Sequence, residues 1–111
     1  MISSLDTFFC LNAAADFYVN LDILVIEMRR DTNVFIQKNE VAEIALMLCK
    51  KKLLKRLKYQ VETQTYIDST SESDINDKDW FEITAEGRIE LDRLYIDNTE
   101  KTAEQGAAAN P

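Results

Sequence analysis

Residues 80–94, WFEITAEGRIELDRL, contain two hydrophobic periods in succession. Phe81 and Ile83 alternate with less apolar neighbours, which is the pattern of a strand with one buried face. Apolar residues then recur at helical spacing between positions 89 and 96. Thr84 stands at the junction, and Thr is a favoured N-cap residue. The sequence therefore predicts a strand that ends at Thr84 and leads directly into a helix.

A second strand pattern precedes this stretch. The run from Leu53 to Ile67 is rich in Thr, Val, Tyr and Ile, and its apolar and polar residues alternate. We expect this run to pair antiparallel with the strand that begins at Trp80, so that the two form a hairpin. Residues 68–79 would then be the tip of the hairpin, and they include the acidic residues Asp68, Glu72, Asp74, Asp77 and Asp79.

The segment before the hairpin is predicted to be helical. Residues 5–30 contain no Gly or Pro and are mostly apolar, and Ser3 or Ser4 is the expected N-cap. This segment forms either one helix or two helices broken near residues 18–20, because the residues there lower helix propensity only slightly. A further helix is expected over Asn39–Lys50, capped by its first residue, and its core-facing side chains are Val41, Ile44, Ala45 and Leu48.

The order of these elements predicts a mainly α protein with a small antiparallel β-hairpin, in the α+β class. A chain of 111 residues, 46% of them hydrophobic, fits a single domain. Two Gly and one Pro are too few for the many turns of an all-β protein. We expect the domain to span residues 1–97 and residues 98–111 to form a disordered tail with little to bury.

Two stretches resemble the winged helix-turn-helix domain, and in particular the wing region of regulators of the MarR and PadR kinds. Residues 41–56, VAEIALMLCKKKLLKR, are similar to the family's passage from helix into wing, and residues 81–94, FEITAEGRIELDRL, are similar to its exit from the wing. The resemblance implies that residues 80–84 are the return strand of the wing, that Gly87 lies early in the helix beneath it, and that Lys52 takes the place of a family Gly. Two N-terminal helices would complete the three that precede the wing in this family.

The resemblance also implies binding of duplex DNA, and the uneven distribution of charge allows it. The net charge is -7, yet residues 29–58 carry nine bases against three acids, whereas residues 59–111 carry four bases against thirteen acids. A confined basic patch can bind phosphates within an acidic molecule. The candidate nucleic-acid contacts are Lys50, Lys51, Lys52, Lys55, Arg56 and Lys58.

A protein–protein interaction module, acting as a subunit or an inhibitor, is the alternative function. The outward face of the helix over Asn39–Lys50 carries Glu40 and Glu43, which would repel phosphates. The same face carries apolar side chains, and the acidic wing could contact a basic partner. The candidate interaction residues are Leu46, Met47, Glu72, Asp74 and Asp77.

Residues 17–28 are apolar around most of a helical circumference and need cover on several sides. They form either a central core helix or a dimer interface, which are compatible interpretations, and we predict a homodimer. We expect the N-terminal helix to form the dimer interface.

The sequence favours a binding protein over an enzyme. It contains no His, no Gly-rich phosphate loop and no nucleophile motif. Cys10 and Cys49 are interpreted as reduced core thiols, because two distant cysteines form neither a disulfide framework nor a metal site. We expect no catalytic residue, no metal, no cofactor and no membrane contact. Acids and amides interrupt the apolar N-terminus, which argues against a secretory signal and predicts a cytoplasmic location.

Overall fold

The computed structural model describes the backbone of residues 2–109 and the side chains of residues 2–97. Within these residues the chain forms four helices and four strands, in an α+β arrangement. In chain order they are α1 (Ser4–Ala13), β1 (Val19–Asn20), α2 (Leu21–Thr32), α3 (Lys38–Lys50), β2 (Leu54–Gln60), β3 (Thr65–Asp68), β4 (Asp79–Ile83) and α4 (Ala85–Ala109).

The N-terminal segment is two helices, which settles the alternative that the sequence left open. Ser3 caps α1, and its side chain and that of Asp6 bond to each other's backbone N–H groups in a capping box. Asn20 caps α2 by accepting a hydrogen bond from the backbone N–H of Ile23 at 2.9 Å. Three helices therefore precede the wing, as the resemblance to winged-helix domains requires.

The turn between α2 and α3 is fixed by local contacts. Asn33 ends α2 in the left-handed conformation, with φ 55°, which Asn tolerates better than most residues. The guanidinium of Arg29 lies 3.7 Å from the centre of the Phe35 ring, and its Nε donates to the Ile36 carbonyl at 2.9 Å. The helix α3 begins at Lys38 without a side-chain cap bond, so the predicted cap at Asn39 is wrong: Asn39 lies inside the first turn.

The sheet has four antiparallel strands in the order β1-β4-β2-β3 within the described residues. The single strand predicted from Leu53 to Ile67 is wrong, because residues 61–64 form a turn and the two halves pair with each other. The alternating pattern continues through the turn, and the turn contains no Gly, Asn or Pro to mark it. Instead Gln64 takes the left-handed conformation, with φ 54°.

The acidic stretch is consequently not the tip of a hairpin. Residues 69–78, which we call the crossover segment, connect β3 at one edge of the sheet to β4 on the far side of β2. The true tip of the β2–β3 hairpin is the turn at residues 61–64, with a single acid, Glu62. The predicted acidic tip is therefore corrected to an acidic crossover.

The hydrophobic core lies between the helices and the inner face of the sheet. Phe81 at the centre of β4 is fully buried, and it belongs to the same cluster as residues from α1, α2 and α3. The predicted inward residues of α3 are all buried. The largest fully buried side chains are Phe81, Leu11, Leu24, Met28, Leu48, Val41 and Cys10.

Aromatic rings cover part of the outer face of the sheet. Tyr18, just before β1, stacks on Tyr66 of β3 with ring centroids 4.1 Å apart, although their strands form opposite edges of the sheet. Tyr66 also contacts Tyr59 at 5.1 Å and Trp80 at 5.3 Å. Leu57, on this face, is buried. These contacts hold the β2–β3 hairpin against the rest of the sheet.

The connection from α3 to β2 confirms the role expected of position 52. Lys52 has φ 62°, and the backbone N–H of Leu53 bonds to the Leu48 carbonyl at 2.9 Å, as in a Schellman motif. The non-Gly residue therefore occupies the left-handed position that usually favours Gly.

Helix α4 begins as the sequence predicts. Thr84 accepts a hydrogen bond from the backbone N–H of Gly87 at 2.9 Å and donates through its hydroxyl to the Leu53 carbonyl at 3.0 Å. A Cβ on Gly87 would lie 2.1 Å from that carbonyl oxygen. Gly87 is therefore required by the close approach of α4 to the α3–β2 connection.

The predicted domain boundary at residue 97 falls inside α4, which extends to Ala109. The side chains beyond residue 97 lie outside the described part of the chain, so the tail over 98–111 stays a prediction. None of the helices in the described part has the combination of length and apolar character that crossing a membrane requires.

Candidate functional site

A buried ion pair fixes the crossover segment to the sheet. Arg56 of β2 and Asp79 of β4 have side chains that are each 4% exposed, and Nη2 of Arg56 donates to Oδ2 of Asp79 at 2.7 Å. The same guanidinium donates to three backbone carbonyls of the crossover segment: Ser73 at 2.6 Å, Ser71 at 3.1 Å and Asp74 at 3.1 Å. One side chain thus ties three carbonyls of a segment without regular secondary structure to the sheet.

Further contacts hold both ends and the middle of the crossover segment. The backbone N–H of Ser69 donates to the Arg56 carbonyl at 2.9 Å, and that of Asn76 donates to the Asp79 carboxylate at 2.9 Å. Between them, Ile75 is buried within the core cluster. The crossover segment is therefore an integral part of the fold.

The position of the crossover segment creates a groove along α3, which we call the α3 groove. Its volume is about 560 Å³. One wall is α3 and the other is residues 74–77 of the crossover segment, while Leu21 contributes from the start of α2. The lining residues are Leu21, Lys38, Asn39, Ala42, Glu43, Leu46, Asp74, Ile75, Asn76 and Asp77.

Lys38 closes one end of the α3 groove. Its Nζ lies 2.6 Å from an oxygen of Asp77 and 3.1 Å from one of Asp22, so it joins the crossover segment to α2. Its hydrogen bond to Asp77, followed by that to Asp22, raises the pKa of Lys38 above its ordinary value. Two carboxylates offset this single positive charge, and the remaining charged side chains that line the groove, Glu43 and Asp74, are acidic.

The predicted basic residues do not form one patch. Lys50 and Lys52 line a cavity with residues 69–72. Lys51 lines a different cavity, between α1 and α4. Lys55 lies opposite Glu82 and pairs with Asp68 at 3.1 Å, and Lys58 lies beside Lys78 near the base of the hairpin.

Arg56 was predicted to contact nucleic acid, and the structure corrects this prediction. Its side chain is buried, and its donors are used by Asp79 and by the crossover carbonyls, apart from an Nε that has no partner among the described residues. A phosphate could reach it only after the crossover segment had left the sheet. Arg56 lies in a basic stretch of sequence, so its structural role was not predicted. The alternation of polar and apolar residues along a strand does not show which side chains a later segment of the chain will cover.

The predicted protein-interaction residues divide between two surfaces. Leu46 lies in the α3 groove, whereas Met47 lines the cavity between α1 and α4, because neighbouring residues of a helix point in different directions. Asp74 and Asp77 border the α3 groove, and Glu72 lies beside Lys50 where the crossover segment continues along α3. Met47 is thus separated from the other four.

Two residues that shape the α3 groove were not identified from the sequence. Lys38 lies at the closed end of the groove, and Ile75 forms part of its floor. A single apolar residue within SESDINDKD was the available signal for Ile75, since an isolated Ile in an acidic, polar run is often an anchor. No comparable signal marked Lys38, because its partners Asp22 and Asp77 are distant in sequence.

The two cysteines are buried in or beside the core and carry free thiols. Burial raises the pKa of Cys10 to about 12 and that of Cys49 to about 11. Both thiols are therefore protonated at neutral pH and are poor nucleophiles. In the described part of the chain, no group of three His, Cys, Asp or Glu side chains is arranged to hold a metal ion.

No protein-family model matches the chain, and no curated protein matches it. A solved structure, that of a PadR-like transcriptional regulator from Bacillus cereus, is similar with a TM-score of 0.71 over 96% of this chain and 92% of that chain. The two sequences are 14% identical, so the likeness concerns the fold. It confirms the winged-helix architecture expected from the resemblance.

Replacing Arg56 tests whether the buried ion pair stabilises the fold. We expect Arg56→Met to lower the free energy of unfolding by about 3–5 kcal/mol, because Asp79 would be left buried without a counter-charge. Lys55→Met is the matched control: it removes a neighbouring positive charge whose partner is exposed, and it should cost at most about 1 kcal/mol. Urea denaturation of both variants measures the difference. Equal losses in the two variants would contradict a special role for Arg56.

Proposed function

We propose that this winged-helix protein binds duplex DNA as a transcription regulator. The observation that carries the proposal is the order of α2, a tight turn, α3 and a β-hairpin wing. In helix-turn-helix proteins the second helix of the pair lies in the major groove. The Bacillus cereus neighbour that shares this fold is named as a transcriptional regulator. Such a role also favours the cytoplasmic location expected from the sequence.

The exposed face of α3 would provide the contacts to bases. Asn39 is exposed in its first turn, and an Asn side chain can pair with adenine through two hydrogen bonds. Glu40 and Glu43 are also exposed, and carboxylates can accept hydrogen bonds from cytosine while they are repelled by phosphates. Binding through this face would therefore depend on phosphate contacts elsewhere.

Four exposed lysines are the best candidates for those phosphate contacts. Lys50 and Lys52 lie at the C-terminal end of α3, and Lys58 and Lys78 lie together near the base of the β2–β3 hairpin. In our proposal they lie beside the duplex at the two ends of the reading surface. Because each phosphate contact releases condensed counterions from the duplex, the affinity should fall as salt increases.

We further propose that the protein is a homodimer through α1 and α4. The side chains of Ile89 and Ile96 are 70% and 53% exposed, and they lie two turns apart on α4. Leu5 of α1 is exposed as well, and the Phe8 ring stacks on that of Tyr95 at 6.3 Å. By contrast, α2 buries most of the apolar residues that suggested an N-terminal interface. A second copy would cover the apolar residues of α1 and α4.

The DNA proposal is tested with two double variants of equal net charge. Lys50→Gln with Lys52→Gln removes two proposed phosphate contacts, and Lys51→Gln with Lys55→Gln is the matched control. We expect the first pair to make the slope of log K against log salt less steep, by about 0.9 for each of the two phosphate contacts that are lost. Fluorescence anisotropy of a labelled mixed-sequence duplex, titrated at several salt concentrations, measures both slopes.

Two results would contradict the DNA proposal. One is the absence of binding at low salt by the unmodified protein. The other is an equal effect of both double variants, which would show that only the overall charge matters.

The dimer proposal is tested by placing a charge in the proposed interface. We expect the unmodified protein to sediment as a dimer and Ile96→Glu to sediment as a monomer, because the interface would bury the new carboxylate. Ile26→Glu is the matched control, since Ile26 is exposed on α2, which is not part of the proposed interface. Sedimentation velocity at several concentrations distinguishes the states. A monomeric unmodified protein, or dissociation by the control alone, would contradict the proposal.

A further inference from the structure

The α3 groove combines an apolar floor with an acidic border. Its floor is formed by Leu21, Ala42, Leu46 and Ile75, which come from α2, α3 and the crossover segment. The residues of α3 that line it are at positions 38, 39, 42, 43 and 46, so the groove follows one side of the helix. The apolar members on α3, Ala42 and Leu46, lie one turn apart and could pack against the apolar face of a second helix.

The charges around the α3 groove specify the kind of helix that it would accept. Glu43 and Asp74 are exposed at the border, and Asp77 has a second oxygen beside the one that contacts Lys38. Lys38, the positive side chain of the lining, already lies against two carboxylates. A positively charged side chain would be attracted to this border, whereas a nucleic-acid phosphate would be repelled.

The crossover segment does not offer the edge that an added strand would need. The carbonyls of Ser71, Ser73 and Asp74 accept hydrogen bonds from Arg56. Addition of a strand depends on free backbone groups in the receiving segment. At the groove itself the Asp74 carbonyl and the Asn76 N–H are already bonded, which favours side-chain contacts over an added strand.

We propose that the α3 groove binds a basic amphipathic helix of a partner protein. Apolar side chains of that helix would contact the partly exposed Ala42 and Leu46, and its Lys or Arg side chains would contact Glu43, Asp74 and Asp77. The docking itself does not depend on DNA binding. Where the proposed function holds, the partner would cover part of the face of α3 that reads DNA, so the two ligands would exclude each other.

The test uses a fluorescent peptide of Lys and Leu with its leucines at helical spacing. We expect it to bind the full protein, and we expect a peptide of the same composition in scrambled order to bind at least about tenfold more weakly, because it has no apolar face. The double variant Glu43→Lys with Asp74→Lys should lower the affinity for the amphipathic peptide by about tenfold, because it reverses two charges at the border of the groove. Glu62→Lys with Asp92→Lys is the matched control of equal net charge, and it should leave the affinity within about twofold.

Each outcome decides the proposal. Preferential binding that is lost only in the groove variant supports it. Equal binding of the scrambled peptide, equal effects of the two charge reversals, or no binding of the amphipathic peptide would overturn it. Addition of labelled duplex to the peptide complex tests mutual exclusion separately. If the protein binds the peptide but not the duplex, the docking proposal stands and the DNA proposal fails. If it binds both at the same time, only the claim that the two ligands exclude each other is overturned.

Discussion

The buried ion pair between Arg56 and Asp79 determines how the second half of the domain is arranged. A guanidinium and a carboxylate that are both withdrawn from water need mutual neutralisation and further hydrogen bonds. Here the further bonds come from the carbonyls of the crossover segment. The segment is thereby held across β2, and its Ile75 reaches the core. Since the crossover segment forms one wall of the α3 groove, the surface around α3 depends on this pair.

This arrangement changes what the α3 surface can bind. A winged helix presents its reading helix and its wing to DNA, and both are present here in the expected order. An acidic segment also lies along one side of that helix, with Asp74 and Asp77 facing the groove. If the protein binds DNA as we propose, its phosphate contacts would come from Lys50, Lys52 and Lys58, which lie outside this acidic stretch. The basic helix that we propose as a partner would lie in the α3 groove, beside this acidic segment.

Most of the fold could be predicted from the sequence, because its signals were local. The change of period around Thr84 and the inward residues of α3 were each visible within a few residues, whereas position 52 was singled out only by the resemblance to the winged-helix family. The hairpin turn at residues 61–64 was not, since no turn residue interrupts the alternation. The candidate site was predicted less well: the burial of Arg56 depends on Asp79 and on a segment that follows it by about fifteen residues. Such distant contacts leave no periodic pattern.

Native-state hydrogen exchange tests most directly whether the crossover segment is a fixed part of the fold. The backbone N–H of Ser69 donates to the main-chain carbonyl of Arg56, and that of Asn76 donates to the side-chain carboxylate of Asp79. We expect both to exchange as slowly as the paired N–H groups of β2 and β4, because the Arg56 guanidinium holds the segment between them through three carbonyls. Exchange of these two groups at the rate of an unfolded chain, while β2 and β4 remain protected, would contradict the account.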